Sequence, residues 1–332
     1  MPVEFGDKIV KNIISNLLFD RDYLIADGGT GTNMMLRGLP AGRPPDLWNL
    51  DGQEHVMWLH KSFIDAGADI ILTNTFGSNT CRLTLDKVQD KTQELNVAGA
   101  QLARAASNAA NKTIIVAGSI GPTGEMMEPF GTLTVDNAEA VFYEQMVALK
   151  EGGVDVIWIE TIFAFDELRA AVQAAHRTNL PVISTMTFDT ASRTMMGDTP
   201  EKAVQFTHGF EPRLTAFGAN CGAGPSMLID TILGLCEGAD DQDIIIAKGN
   251  CGIPQMVDGE IVYSGTNEVM ADYARLARDC GARIIGGCCG TTPERLSAIV
   301  EALSNYDPKP PPTRDRIIEI LGPIKVAAPG AT

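Results

Sequence analysis

The 332-residue sequence has no apolar run long enough to cross a bilayer, and charged residues interrupt the apolar residues of its N-terminus, so that no signal-peptide core is present. Basic residues are scarce: 26 of them stand against 42 acidic residues, which gives a net charge of -16. A strongly negative protein repels phosphate backbones and anionic membrane surfaces. We therefore expect neither a nucleic acid nor a membrane as partner, and a small-molecule ligand instead.

Cysteine and histidine usage excludes two further classes. The seven cysteines are odd in number and unevenly spaced, which is not typical of a secreted disulfide scaffold and favours a reducing cytoplasm. The sequence has only four histidines, and none of them follows a predicted strand: His55, His60, His176 and His208. A histidine-ligated hydrolase is therefore not indicated.

Short runs rich in Ile, Val and Leu alternate with longer stretches of helical apolar spacing, which is typical of repeated β/α units. Eight strands are predicted, at residues 23–27, 69–74, 113–119, 155–160, 181–187, 215–220, 243–248 and 283–287. Eight parallel strands with alternating helices most economically close into an α/β fold of the (β/α)8 TIM-barrel class. The alternative is an open doubly wound sheet, which would bind ligands at one switch point rather than around eight strand ends.

The composition changes after residue 305, where prolines at 308 and 310–312 precede a short amphipathic stretch. We predict that residues 1–305 form the barrel with an N-terminal helical lead-in, and that residues 306–332 form a proline-rich C-terminal arm. Such an arm is a semi-rigid extension rather than a domain. It is a candidate contact with another subunit of a homo-oligomer.

Two neighbouring thiols follow the last predicted strand, at Cys288 and Cys289, between glycines that let the backbone bend. Adjacent Cα atoms lie about 3.8 Å apart, whereas a disulfide needs roughly 4.4 to 6.8 Å, so the pair is predicted to bind a soft metal. Cys221 and Cys251 follow two other strands, and the residue pattern alone leaves open which of them joins the pair. Three thiolates and an open position are typical of zinc, which would bind a thiol substrate as its thiolate.

Several motifs together resemble the homocysteine S-methyltransferase family over about residues 20 to 305. They occur in the family's order and comprise Asp27-Gly28-Gly29-Thr30-Gly31-Thr32, Thr73-Asn74-Thr75-Phe76, Gly121-Pro122, Ile159-Glu160-Thr161, Gly218-Ala219-Asn220-Cys221 and Gly286-Gly287-Cys288-Cys289-Gly290-Thr291-Thr292-Pro293. The resemblance implies a zinc-bearing barrel that methylates homocysteine to methionine.

The resemblance also implies roles for particular residues. Its zinc ligands fall on Cys221, Cys288 and Cys289, and Cys251 is left out of the set. Its homocysteine site matches Asp27, Gly28 and Glu160, where carboxylates suit an ammonium group and glycine N–H groups suit a carboxylate. The alternative roles are a buried ion pair for Glu160 and a turn cap for Asp27.

Members of this family differ in methyl donor, and the sequence has no Asp-x-His-x-x-Gly motif for the cobalamin route. Residues 45–49, 248–254 and 263–266 resemble bacterial betaine-homocysteine methyltransferases, so an onium donor, glycine betaine first, is expected. Dimethylsulfoniopropionate, S-methylmethionine and S-adenosylmethionine are the alternatives, the first because Thr161 follows the glutamate where animal betaine enzymes carry tyrosine. Aromatic faces bind onium groups, and Trp48 and Phe76 are the candidates, with packing under a loop as the alternative for both.

Two other functions stay open at this stage. Lys248, at the end of the seventh predicted strand, is placed where an aldolase-like barrel would form a Schiff base. A non-catalytic protein that binds zinc or an amino acid is the second alternative. The expected reaction is a single in-line displacement in which the homocysteine thiolate attacks a methyl group of the donor and dimethylglycine leaves.

Overall fold

The computed structural model of the chain describes residues 13–189, 191–257 and 260–324. Ten strands lie in this part of the chain: β1 Leu24–Ile25, β2 Ile70–Leu72, β3 Ile115–Ile120, β4 Val156–Ile162, β5 Val182–Met186, β6 Ala216–Cys221, β7 Ile245–Gly249, β8 Pro254–Val257, β9 Glu260–Tyr263 and β10 Ile284–Gly287. Eight of them form one parallel sheet in the order β1-β10-β7-β6-β5-β4-β3-β2. All eight predicted strands and the (β/α)8 barrel are confirmed.

The seam between β1 and β2 closes the barrel, and it is short. Ala26 and Ile70 form a single parallel bridge there. Side chains add to it: a carboxylate oxygen of Asp27 accepts the Leu72 N–H at 2.7 Å, and Asp69 accepts an N–H of β1 at 3.0 Å. Two aspartates therefore supply hydrogen bonds across the seam that a longer strand would supply from its backbone.

Helices surround the sheet. The α-helices among the described residues are α1 Ile13–Asp20, α2 Thr30–Leu36, α3 Trp48–Asp51, α4 Gln53–Asp65, α5 Thr80–Leu85, α6 Thr92–Asn108, α7 Val135–Gly152, α8 Phe165–His176, α9 Pro200–Thr207, α10 Pro225–Gly238, α11 Asn267–Cys280, α12 Pro293–Leu303 and α13 Arg314–Leu321. Two short 3-10 helices occupy Pro45–Leu47 and Gln89–Lys91. The sequence marks several helix starts: the Thr199 and Thr292 hydroxyls accept the N–H groups of Lys202 and Arg295 as N-caps.

The hydrophobic core has two layers. One lies between the sheet and the outer helices, and the other fills the barrel interior with side chains such as Trp158 and Ile246. Ile14 and Leu18 of α1 belong to the interior cluster, so α1 closes one end of the barrel. Because the opposite end holds the C-terminal ends of the strands, the polar side chains that follow the strands collect at that mouth.

Two segments extend the barrel. Strands β8 and β9 form an antiparallel hairpin between β7 and α11 that the sequence analysis did not predict. Helix α13 packs against α10 and α11 of the same chain, with Ile317 fully buried and Arg314 paired with Asp230 at 2.6 Å. The boundary at residue 305 and contact with another subunit stay predictions, and residues 1–12 and 325–332 of the predicted lead-in and arm lie outside the described part.

Among the described residues, no helix has both the length and the apolar character needed to cross a bilayer.

Candidate metal and substrate site

Three sulfur atoms meet at the barrel mouth. Cys221 ends β6, and Cys288 and Cys289 follow β10, with the Sγ atoms of all three within 4.8 Å of one another. The backbone at Cys221 has a φ of 64°, in the left-handed region, and Gly222 follows at 77°. A cysteine held in this uncommon conformation indicates that the surrounding structure fixes the direction of its side chain.

Cys251, the competing ligand, contributes its backbone rather than its sulfur. Its N–H donates to the Cys289 carbonyl at 2.9 Å, but its sulfur is not in the group of three. A Cβ built on Gly265 would lie 2.7 Å from the Cys251 Sγ, so this thiol packs against the chain just after the β8–β9 hairpin. The structure therefore brings together the set that contains Cys221.

Two asparagine amides donate to the sulfurs, and the sequence analysis did not assign them a role. Asn250 Nδ2 lies 3.5 Å from the Cys221 sulfur and donates to the Gly222 carbonyl at 2.7 Å, while its Oδ1 is buried without a partner. Asn220 Nδ2 lies 3.7 Å from the Cys288 sulfur. Both asparagines stand next to a cysteine in the sequence, which is the signal that could have indicated them. Amide N–H groups aimed at sulfur stabilise the thiolate form.

Asn220 also holds Thr161, the residue that follows Glu160 in β4. Thr161 has a φ of 65°, which is rare for a β-branched residue. Its N–H donates to Asn220 Oδ1 at 2.9 Å, and its hydroxyl accepts from Asn220 Nδ2 at 2.8 Å. This reciprocal pair fixes the backbone beside Glu160 and links it to the sulfur group.

The thiols share protons unequally. Hydrogen bonds from Cys221 and Cys288 lower the pKa of Cys289, whereas donating those bonds raises the pKa of Cys221. Cys289 is therefore the thiol that loses its proton most readily, and the other two lie close to it. A soft dication would replace the remaining protons, so the donor set fits a thiolate-bound metal.

Asp27, Lys248 and Glu160 form a buried charged group beside the sulfurs. Lys248 Nζ donates to Asp27 Oδ1 at 2.8 Å, with both side chains at most 3% exposed, and Ser119 donates to Glu160 Oε1 at 2.5 Å. Burial raises the pKa of Asp27 and raises that of Glu160 to about 7. Burial also opposes the charge on Lys248, but the carboxylates of Asp27 and Glu160 outweigh it and raise the lysine pKa.

The charges of Asp27, Glu160 and Lys248 do not balance. Two carboxylates and one ammonium leave one negative charge when Glu160 is ionised, so a single additional cation would neutralise the group. Gly28 stands beside Asp27, and a Cβ there would lie 2.5 Å from the Thr291 carbonyl. The chain at Gly28 therefore has room for backbone alone.

Each of the two aromatic residues predicted to bind the methyl donor has another side chain close to its ring. Trp48 is 7% exposed, and its ring stacks on His55 with the centroids 4.3 Å apart. Phe76 is partly buried, with the Arg82 guanidinium 5.7 Å from its centroid. Their roles in binding a donor stay predictions.

Comparison with known proteins agrees with this description. Residues 24–303 match the family model of homocysteine S-methyltransferase. The oxidised and metallated structures of the homocysteine methyltransferase MmuM from Escherichia coli each match at 23% identity and a TM-score of 0.73, over 87% of this chain and 99% of MmuM. The apo structure of MmuM matches at 24% identity and a TM-score of 0.68, over 86% and 98% of the two chains. At this identity the structural matches support the fold.

Proposed function

Because the chain belongs to the homocysteine S-methyltransferase family and is therefore an S-methyltransferase, we propose that it transfers a methyl group from glycine betaine to L-homocysteine. The products are methionine and dimethylglycine. The observation that carries the thiol acceptor of this proposal is the meeting of the Cys221, Cys288 and Cys289 sulfurs at the mouth of the barrel. Glycine betaine as donor rests on the resemblance of residues 45–49, 248–254 and 263–266 to bacterial betaine-homocysteine methyltransferases. Reduced thiols at the site favour a reducing compartment, and we propose the cytoplasm.

Zinc is the proposed metal because the donor set is soft and has three members. Thiolates favour Zn²⁺ among the common divalent ions, and three protein ligands leave its fourth position open. Bound there, zinc would supply the Lewis acidity that keeps a substrate thiol deprotonated at neutral pH. The amide groups of Asn220 and Asn250 would hold the sulfurs in place and stabilise their negative charge.

Homocysteine recognition is proposed for the buried charged group. The ammonium of the amino acid supplies the one cation that Asp27, Glu160 and Lys248 lack, and the bare backbone at Gly28 suits its carboxylate. Lys248 keeps Asp27 in position through their 2.8 Å contact. Since the pKa of Glu160 is raised to about 7, its ionised form and hence the attraction for the ammonium increase through neutral pH.

The proposed reaction is one displacement. The homocysteine thiolate attacks a methyl carbon of the trimethylammonium group, and the electrons of the broken C–N bond stay on nitrogen. Dimethylglycine leaves as a neutral amine at that nitrogen, so no general acid is required. The protein contributes by aligning the two reactants and excluding water, which accounts for much of the acceleration in bimolecular reactions.

The geometry disfavours a Schiff base on Lys248. An amine attacks a carbonyl only when it is unprotonated, whereas Lys248 is buried against Asp27 with a raised pKa. The contacts instead favour an ion pair within the substrate site.

Metal analysis combined with a donor panel tests the proposal. We expect about one zinc per chain and methionine formation from homocysteine with glycine betaine, in parallel assays with dimethylsulfoniopropionate, S-methylmethionine and S-adenosylmethionine. Cys288→Ser should lose both metal and activity, while the matched variant Cys251→Ser should keep both, since its sulfur lies outside the group. Full activity in metal-free protein would refute the zinc role, and turnover with another donor only would refute the betaine assignment.

A further inference from the structure

The β8–β9 hairpin brings one aromatic residue to the sulfur group. Tyr263 is the last residue of β9, and it lies against the turn at Cys289 and Gly290. Its side chain packs directly on the second of these residues: a Cβ built on Gly290 would lie 2.4 Å from the Tyr263 Cγ. With a φ of 75°, Gly290 takes a conformation and a closeness of approach that only glycine permits without strain.

Hydrogen bonds hold this end of the hairpin against the cysteine turn. The Arg295 guanidinium donates both to the Gly290 carbonyl and to the Gly265 carbonyl, the latter at 2.9 Å. The N–H of Gly265 donates to the Cys251 carbonyl at 3.0 Å, and the N–H of Cys251 donates to Cys289. Tyr263 is therefore placed by the same network that places the metal-binding turn.

The position of Tyr263 fits what a methyl donor needs. A methyl group can reach a sulfur at the site only if its cationic centre lies within a few ångströms of Cys221, Cys288 and Cys289. Tyr263 lies against Gly290, the residue after Cys289, and remains partly exposed, so part of its side chain is open to a ligand. An aromatic face within about 6 Å attracts a quaternary ammonium or sulfonium group through the cation–π interaction.

We propose that Tyr263 is a specificity-determining residue whose ring binds the onium group of the methyl donor. This inference rests on the proposed function and deepens it, because it assigns the donor side of the site to the β8–β9 hairpin. The ring, rather than the hydroxyl, is the part that recognises positive charge. Homocysteine and metal binding belong to the other residues of the site.

Three variants separate the ring from the hydroxyl and from the hairpin. Tyr263→Leu removes the aromatic face, Tyr263→Phe keeps it, and Val262→Ala changes the neighbouring side chain on the opposite face of the same strand. We expect Tyr263→Leu to raise the KM for glycine betaine by about 2- to 30-fold. We expect the KM for glycine betaine to change by less than about twofold in Tyr263→Phe and Val262→Ala. Zinc content and the KM for homocysteine should change by less than about twofold in all three variants.

A neutral analogue distinguishes charge recognition from packing. In 3,3-dimethylbutanoate a carbon atom replaces the betaine nitrogen, so the shape stays and the charge is lost. Tyr263→Leu should weaken binding of glycine betaine, measured by calorimetry with the zinc-loaded protein, and leave inhibition by the analogue nearly unchanged. Equal losses for both compounds, or a loss in Tyr263→Phe as large as in Tyr263→Leu, would overturn the assignment.

Failure of the proposed function gives a different result. Wild-type protein would then form no methionine with any donor of the panel, whereas failure of the Tyr263 assignment leaves an active enzyme whose Leu variant has an unchanged donor KM. In an inactive wild type, calorimetry with tetramethylammonium still tests the residue. Loss of tetramethylammonium binding in Tyr263→Leu supports the assignment. Equal binding by the two proteins, or no binding by the wild type, overturns it.

Discussion

Replacing Lys248 with methionine would leave Asp27 buried without its cation. Lys248 and Asp27 are at most 3% exposed and 2.8 Å apart, so water cannot take the place of the lost ammonium. Removing one partner of such a pair costs about 3 to 5 kcal/mol, because an uncompensated charge stays buried. The loss should appear in stability even where metal and substrate are absent.

The expected shift in melting temperature follows from chain size. An entropy of unfolding of about 2.1 cal/mol/K per residue gives about 0.7 kcal/mol/K for 332 residues. A loss of about 3 to 5 kcal/mol therefore lowers Tm by about 4 to 7 °C. Lys112→Met is a matched control, because Lys112 is 37% exposed in its pair with Asp69 and should cost about 1 kcal/mol or less.

Calorimetry of metal-free protein at pH 5 and pH 8 tests the reasoning. Without Lys248 the pKa of Asp27, already raised by burial, rises further, so its neutral form is better populated at low pH. The destabilisation should therefore be smaller at pH 5 than at pH 8. Adding Asp27→Asn, which keeps an acceptor for Leu72, should restore most of the loss. A drop below about 1 °C at pH 8, or a drop of equal size at both pH values, would refute the ion-pair argument.

Three further outcomes are expected. The free energy of unfolding of Glu160→Gln should rise relative to wild type, by at most about 3 kcal/mol, as pH rises from about 4.5 to 7. Burial raises the Glu160 pKa to about 7, so ionisation of Glu160 costs stability in the wild type, and a difference between the two proteins that does not depend on pH would contradict this. Gly290→Ala should lose about 1 to 3 kcal/mol in urea unfolding, since its Cβ would meet Tyr263, and an unchanged midpoint would contradict the close approach. Asn250→Leu should weaken zinc binding by about 10- to 100-fold in chelator competition because Cys221 loses its amide donor, whereas unchanged affinity would exclude that role.

The sequence predicted the barrel because each of its strands and helices is visible in a short stretch of apolar and polar residues. The buried strands begin with apolar residues and carry a polar residue at or near their ends, as at Glu160 in β4 and Cys221 in β6, and parallel strands bring those ends to one mouth. The hairpin was missed although the Asp258-Gly259 dipeptide between strand-like residues is a recognised hairpin signal. Each of its two strands has only four residues, which is too few to stand out beside the long β/α units.

The contacts within the site were beyond sequence reasoning. Asp27 and Lys248 are 221 positions apart, so only closure of the barrel shows that they pair. The choice between Cys221 and Cys251 depended on which way each sulfur points, which residue spacing does not specify. Likewise, Thr161 could be noted as a departure from the family, but its link to Asn220 follows from a backbone conformation that composition does not reveal.

The side-chain hydrogen bonds at the β1–β2 seam have a consequence for how the protein responds to its ligand. The carboxylate proposed to receive the amino acid is also the acceptor for the Leu72 amide, so one group serves both recognition and barrel closure. Occupancy that restrains Asp27 should slow exchange of that amide with deuterated solvent. Binding of the amino acid would thereby stabilise the short β1–β2 seam. A substitution of Asp27 that is meant to change substrate binding would also change the hydrogen bonding of this seam.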